Sequence, residues 1–250
     1  MRLQGGLGNQ LFQWACARNL QKVYGHKIIY EDIIVNTERN PDFYRFPNIK
    51  LDKPEYNKDI HATKICVVYD PFNYNEFNNT NFSDLETLFF LYGYWQGTKY
   101  FEACADEIRE ELQPTEKPQI PEDSLSIHVR RTDYLTIQDY HPVQNLSYYE
   151  SAIDLLNHKG NIYIFSDDIQ WCKDNFKFDK MHFIHNQDPL IDLWTMASCE
   201  KNVIANSSFS WWAAWINNNY NKKVVCPKNW FGVNSPYSDR DILDNDWIKI

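Results

Sequence analysis

The residues best equipped for chemistry are Arg130 and Arg131, adjacent guanidinium groups that end the run Leu125-Ser126-Ile127-His128-Val129 and precede Thr132-Asp133-Tyr134. Each guanidinium presents a planar fork of donors matched to phosphate oxygens, so two in succession can grip a diphosphate. A second polar cluster, Ser166-Asp167-Asp168, follows Ile162-Tyr163-Ile164-Phe165. A third, Asn206-Ser207-Ser208-Phe209-Ser210, follows Val203-Ile204-Ala205 and opens a helix-like run. Exposed N–H groups and the dipole at a helix start favour an anion. Asp167 and Asp168 have three available roles: accepting hydrogen bonds from sugar hydroxyls or a base, holding a metal, or capping the next helix. A divalent ion needs several oxygen ligands, and the arginines already supply positive charge, so hydroxyl or base recognition is preferred.

These clusters need elements to position them. Apolar runs at 125–129, 162–165, 181–184, 203–205 and 224–226 alternate with helical patterns, which predicts an α/β fold with a parallel, doubly wound sheet. Each polar cluster begins just after a strand's last apolar residue. Ligands in such sheets bind beyond the carboxyl ends of the strands, so the three clusters are expected to converge on one edge. A helix from about Tyr148 to Lys159 is expected to open on the capping box Ser147-Tyr148-Tyr149-Glu150 and close at Gly160. Asp188-Pro189 reads as the cap of another helix.

The first half of the chain begins as a short strand, the glycine turn Gly5-Gly6-Leu7-Gly8-Asn9-Gln10, and a helix carrying Phe12, Cys16, Leu20 and Val23. Gly25 is the expected stop before a strand at Ile28-Ile29-Tyr30. The turn fits a dinucleotide fingerprint poorly, because Leu11 stands where the third glycine belongs, although Glu31 and Asp32 suit that pattern. Residues 31–84 are rich in Pro, Asn and Tyr and give little beyond Ile65-Cys66-Val67-Val68-Tyr69. A strand-like run, Leu88-Phe89-Phe90-Leu91-Tyr92, leads through Gly93-Tyr94-Trp95-Gln96-Gly97 to a helical stripe of Phe101, Cys104, Ala105, Ile108 and Leu112. Pro114, Pro118 and Pro121 then divide the chain into expected domains 1–120 and 121–250.

Composition narrows the class. A 250-residue chain with 43% hydrophobic and 16% aromatic residues is globular. Its formal charge of −9 argues against nucleic acid and anionic membranes as broad partners. Any phosphate site must therefore be local. The six scattered cysteines read as reduced thiols of a cytoplasmic protein. No signal peptide is visible, and no apolar run approaches the ~18 residues that span a bilayer. Asp239-Arg240-Asp241 and Asp244-Asn245-Asp246 spell the Asp-x-Asp of metal-dependent sugar transferases, but neither follows an apolar strand, so both read as loop or cap residues. His182 and His185 fall on opposite strand faces and make poor zinc partners. Trp211, Trp212 and Trp215 read as core and not as a sugar-stacking platform.

Five segments stand in order: Gly5-Gly6-Leu7-Gly8-Asn9-Gln10-Leu11-Phe12-Gln13, Gly93-Tyr94-Trp95-Gln96, His128-Val129-Arg130-Arg131-Thr132-Asp133-Tyr134, Phe165-Ser166-Asp167-Asp168, and Asn206-Ser207-Ser208-Phe209-Ser210-Trp211-Trp212-Ala213-Ala214-Trp215. Together they resemble the family 11 glycosyltransferases, the α-1,2-fucosyltransferases. The resemblance implies two facing Rossmann-like domains of GT-B type, GDP-L-fucose as donor, inversion at the anomeric carbon, and neither metal nor cofactor. Carried over by position, it assigns the donor to His128, Arg130, Arg131, Asp167, Asp168, Asn206, Ser207, Ser208, Phe209 and Ser210. Arg130 and Arg131 would stabilise the departing GDP, and Asn9 would reach the active centre. Asp133, Asp139 and His141 are candidates for the base, with Asp133 preferred unless it orients Arg131. The expected reaction adds L-fucose to the 2-hydroxyl of a galactose in a glycan. Peripheral membrane association, the oligomeric state and the role of the 227–250 tail stay open. The alternatives are a transferase for another nucleotide sugar and a non-catalytic nucleotide-sugar or glycan-binding module.

Overall fold

The computed structural model describes residues 1–32, 45–49, 62–70, 77–185, 188–239 and 241–250. The chain divides into two compact units, Met1–Leu112 with Arg240–Leu243, and Gln113–Asp239 with Asp244–Ile250. Leu112 is fully buried, whereas Gln113 donates to the Ile216 carbonyl at 3.2 Å. The proline-rich stretch therefore travels with the second unit. Residues 241–243 return to the first, where Lys99 pairs with Asp241 at 2.7 Å.

In the first unit, β1 (Arg2–Leu3) leads through the glycine turn into α1 (Leu7–Tyr24). Leu11, Phe12, Trp14, Ala15 and Cys16 are all fully buried, so this helix forms the unit's core. Gly25 ends it in the left-handed region, φ 78°. The strand expected at 28–30 lies instead at β2 (Glu31–Asp32), because the two-residue β1 pairs in parallel there. The Ile29 carbonyl just before it receives the N-terminal amine at 2.9 Å. A second parallel pair joins β3 (Lys64–Tyr69) to β4 (Thr87–Tyr92), Tyr69 opposite Tyr92. The helix expected over 101–112 is shorter than its apolar stripe. Phe101 sits at φ −142°, so two 3-10 turns at Thr98–Tyr100 and Glu102–Cys104 precede α2 (Ala105–Glu111).

The second unit is an α/β layer built on one parallel sheet. Its strands are β5 (Ser124–Val129), β6 (Asn161–Ser166), β7 (Met181–Ile184), β8 (Lys201–Val203), β9 (Lys223–Cys226) and β10 (Ile248–Lys249), in the order β10-β9-β8-β5-β6-β7. All five pairings are parallel. β5 is buried at six successive residues, as a central strand covered on both faces must be. Leu125, Ile127 and Val129 pack with Tyr149, Ala152 and Ile153 of α3 (Leu146–Leu155) and with Ile162 and Ile164 of β6. The alternate positions face the other way: the Ser126 hydroxyl receives Asn202 Nδ2 at 2.7 Å, and His128 meets Phe209 at 5.8 Å between centroids.

The helices mostly follow their caps. Asp188 caps α5 (Pro189–Ser198) with proline in the first turn, as its sequence predicts. The expected capping box does not form. Asn145 caps α3 instead, its side chain receiving Tyr148 N at 3.0 Å and the Ser147 hydroxyl at 2.7 Å. Gly160 does not end that helix either. A side chain there would sit 1.8 Å from the Asp123 carbonyl, so glycine is needed for the strand's approach. The tryptophans of α6 (Ser208–Ile216) are core: Trp211, Trp212 and Trp215 are at most 1% exposed.

This strand order creates a switch point. From β5 the chain moves outward to β6 and β7, crosses back, and from β8 moves outward to β9 on the opposite side. With right-handed crossovers, the connections leaving β5 and β8 diverge to opposite faces and open a crevice at the carboxyl ends of these neighbouring strands. Among the described residues, no helix is long and apolar enough to cross a membrane.

Candidate active site

The switch point places His128-Val129-Arg130-Arg131 beside Asn206-Ser207-Ser208, and the structure ties the three polar clusters together. Asp167 Oδ1 accepts the Arg131 backbone N–H at 2.9 Å, and its Oδ2 accepts the Thr132 hydroxyl. Tyr134 donates its hydroxyl to the Asn206 carbonyl at 3.1 Å while its ring lies under Arg130, 5.4 Å from the guanidinium carbon. Gln144 donates to Asn206 Oδ1 at 3.2 Å, and Asn206 Nδ2 donates to the Trp230 carbonyl at 3.1 Å. Asn206 is therefore a buried tie that fixes the turn, with both side-chain atoms used inside the unit.

The guanidinium groups are not bare. Arg130 Nη2 lies 2.7 Å from Asp133 Oδ1, and Nη1 lies 3.4 Å from Asp167 Oδ2. Arg131 donates Nε to Asp168 Oδ2 at 3.1 Å and stacks 4.0 Å over the Trp171 ring. Asp168 also caps α4 (Ile169–Asn175), receiving Trp171 N at 3.2 Å. Asp167 and Asp168 thus hold the arginine loop, each anchored by a backbone N–H as well. Among the described residues Asp133 has no such anchor: its side chain is 54% exposed against 19% for Asp167, so its pair with Arg130 is the exchangeable one. Among the described residues neither terminal nitrogen of Arg131 has a hydrogen-bond or ion-pair partner.

Across the switch point, α6 begins without a side-chain cap on its first-turn N–H groups. Ser207 is the N-cap but forms no capping bond, and Ser210 turns its hydroxyl back to the Ala205 and Ser207 carbonyls. Among the described residues the N–H groups of Ser208, Phe209 and Ser210 are unpaired, which is the arrangement that receives anions at helix starts. His128 faces this end from β5. Burial pulls its imidazole down to about 4, so it is neutral, and among the described residues its buried Nδ1 has no partner. Two arginines, a neutral histidine and an open helix start can bind a nucleotide diphosphate and stabilise it as a leaving group. Among the described residues no three His, Cys, Asp or Glu side chains cluster as ligands for a metal ion.

The other base candidates are engaged as well. Asp139 accepts Asn234 N on its carbonyl at 2.9 Å and Asn234 Nδ2 on its Oδ2 at 3.4 Å. His141 lies flat on Tyr134, centroids 4.8 Å apart, with burial lowering its pKa. The segment around Trp230, Gly232 and Asn234 thus buttresses the loop that follows the arginines, a role the sequence did not suggest. Of the Asp-x-Asp segments, Asp244 accepts Asp246 N in a turn at 3.2 Å and Asp241 pairs with Lys99; Arg240 lies outside the described residues.

In the first unit, Asn9 stands in the first turn of α1, and its Oδ1 receives Gln96 Nε2 at 2.8 Å. Gln13 joins the same region, donating to the Gly93 carbonyl at 2.8 Å. Two segments read from the sequence, the glycine turn and Gly93-Tyr94-Trp95-Gln96, are therefore one hydrogen-bonded cluster. A residue in the unread stretch completes it: Asp70 Oδ2 accepts Tyr94 N at 2.7 Å and Trp95 N at 3.1 Å. No pattern around Asp70 distinguishes it, because Asp after a strand is ordinary turn chemistry.

The family model for Glycosyl transferase family 11 matches residues 1–250, the whole chain. The chain belongs to this family. Two curated relatives align along its full length: an O-antigen biosynthesis glycosyltransferase, WbnK, of Escherichia coli is 28% identical over 99% of this chain and 99% of its own. An α-1,2-colitosyltransferase of E. coli is 26% identical over 100% of this chain and 97% of its own. The bovine galactoside α-(1,2)-fucosyltransferase 1 is 27% identical over 38% of this chain and 30% of its own. Among solved structures, an α-1,6-fucosyltransferase, NodZ, soaked with GDP-fucose covers 86% of this chain and 90% of its own, with 12% identity and a TM-score of 0.43. The glycosyltransferase's arginine loop and helix start are the features to which donor chemistry can be attached.

Proposed function

We propose that this glycosyltransferase moves L-fucose from GDP-L-fucose to the 2-hydroxyl of a galactose residue in a glycan, with inversion and without a metal. The observation that carries the reading is the pairing of Arg130 and Arg131 with an uncapped helix start across the β5/β8 switch point. Diphosphate oxygens displace Asp133 from Arg130, take the terminal nitrogens of Arg131, and receive the N–H groups of Ser208 to Ser210. As the anomeric bond breaks, negative charge grows on the departing GDP, and these groups stabilise it most at that moment. Asp167 and Asp168 keep both arginines in place while Asp133 exchanges. The α-1,2 linkage is supported by the names of the colitosyl- and fucosyltransferase relatives.

A second donor is favoured by one observation: the colitosyltransferase aligns with the whole chain, the bovine fucosyltransferase with 38% of it. The alternative is thus a different GDP-linked deoxy sugar on the same site. Incubation with galactose-terminated oligosaccharides and GDP-fucose, GDP-colitose, GDP-mannose or UDP-sugars, with EDTA present, separates the readings. The expected result is transfer from GDP-fucose in EDTA, with an α-1,2 linkage by NMR. Failure of GDP-fucose to react, or dependence on an added divalent ion, overturns the corresponding part.

A further inference from the structure

The two arginines of the loop are held in different ways. Arg131 is the more enclosed, its side chain 15% exposed against 33% for Arg130. Its guanidinium carbon lies 4.0 Å from the centre of the Trp171 ring, which is contact distance, whereas that of Arg130 keeps 5.4 Å from Tyr134. Its Nε donates to Asp168 Oδ2 at 3.1 Å. The face of the group is thus taken by a ring and its inner edge by a carboxylate. Neither contact uses the terminal nitrogens, which have no partner among the described residues. Arg131 is therefore fixed through parts of the group that phosphate does not need.

Trp171 is itself set in a rigid support. Its backbone N–H bonds to Asp168 Oδ1 at 3.2 Å, and its carbonyl accepts Asn175 Nδ2 at 2.8 Å. The ring meets Phe176 edge-on with centroids 5.8 Å apart, and Phe176 is buried against Tyr149 of α3 at 5.4 Å. One carboxylate serves both partners, since Asp168 places the first turn of α4 with Oδ1 and the guanidinium with Oδ2. All of these groups belong to the second unit. Packing against Phe176 asks only for an apolar side chain. The cation laid on the ring asks for an aromatic face, and indole attracts it most strongly.

We propose that Trp171 is the positioning residue for Arg131, holding the guanidinium with its terminal nitrogens turned to the diphosphate. It acts through that side chain and makes no bond to the nucleotide. An arginine on an unsupported loop gives up rotamer freedom each time it closes on a departing phosphate, whereas donors already in place do not. The proposal rests on the reading of the arginine loop as the diphosphate site. It gives the two guanidinium groups separate duties: Arg130 exchanges Asp133 for phosphate, while Arg131 stays where Trp171 puts it.

A double-mutant cycle separates this role from packing, with GDP as the probe. In the otherwise wild-type chain, Trp171→Leu is expected to weaken GDP roughly 3- to 30-fold in titration calorimetry, the range of a partly desolvated cation–ring contact, and to lower kcat for fucose transfer by a similar factor. In the Arg131→Ala chain the same change is expected to alter GDP affinity by less than about twofold. Trp171→Phe is expected to restore part of the loss, because it returns a ring face. An equal loss in both chains, or no loss in either, marks Trp171 as packing and overturns the assignment. If the leucine variant does not fold, the cycle is run with phenylalanine, a weaker partner for a cation, and an equal effect in both chains again overturns it. If wild type binds no GDP, the diphosphate reading itself fails. If wild type binds GDP and the cycle shows no coupling, only the role of Trp171 falls.

Discussion

At the residue scale, the site is an ion-pair network with one weak member. Asp167 and Asp168 are doubly committed, while Asp133 meets Arg130 from an exposed loop. Removing its charge leaves Arg130 free for phosphate without disturbing the rest. Asp133→Asn is therefore expected to tighten GDP two- to fivefold by titration calorimetry, the scale of an exposed ion pair. Asp70 gives a second prediction with a definite sign. Its folded pKa of about 6 stands above the ordinary carboxylate value of 3.8, so the folded state binds its proton more tightly than the unfolded state. The stabilisation is complete below pH 4 and is lost as pH rises through 6. Asp70→Asn should be more stable than wild type by about 1–3 kcal/mol at pH 7.5 in urea melts, with the difference vanishing near pH 4. The residues that could donate to phosphate were legible because guanidinium forks and helix-start serines advertise their chemistry. Asp70 was not, because its environment is made by Gly93, Tyr94 and Trp95, more than 20 residues away in sequence.

At the element scale, sequence patterns placed the second unit well because each strand is a short apolar run ended by polar residues. Met181–Ile184 lies where its pattern puts it, and Asp188-Pro189 caps as composition predicts. Misplacements arise where two signals compete. Asn145 and Ser147 are both good caps, and Asn145 wins because its side chain bonds Tyr148 N and the Ser147 hydroxyl together. The stripe from Phe101 to Leu112 is apolar at helical spacing, yet 3-10 turns satisfy the same burial. The start of α6 offers a test in which two readouts move oppositely. Ser208→Asp brings a negative charge to the unpaired N–H groups. It should stabilise the fold through the helix dipole by about 0.3–1 kcal/mol, read as a higher melting temperature, and weaken GDP binding at least tenfold in calorimetry. A variant that binds GDP as wild type does would remove the helix start from the donor site.

At the scale of the molecule, neither the return of residues 241–243 to the first unit nor the pairing of β10 with β9 could be read from the sequence. Both are long-range choices made by packing, with no local period to announce them. The tail is well anchored nonetheless: Trp247 is 6% exposed and its ring lies 5.6 Å from Trp211. Trp247→Ala is expected to cost about 3–5 kcal/mol in the second unit, measured by its unfolding midpoint.

The central position of β5 also has a consequence for synthesis. On a ribosome, Ser124–Val129 emerges early, one flank waits for Asn161–Ser166, and the other waits until Lys201–Val203 has been made. During that interval a strand meant for full burial has a bare edge, and distant parallel partners find each other slowly. Yield of active protein should therefore be governed by chaperone capacity during translation as much as by the strength of the finished fold.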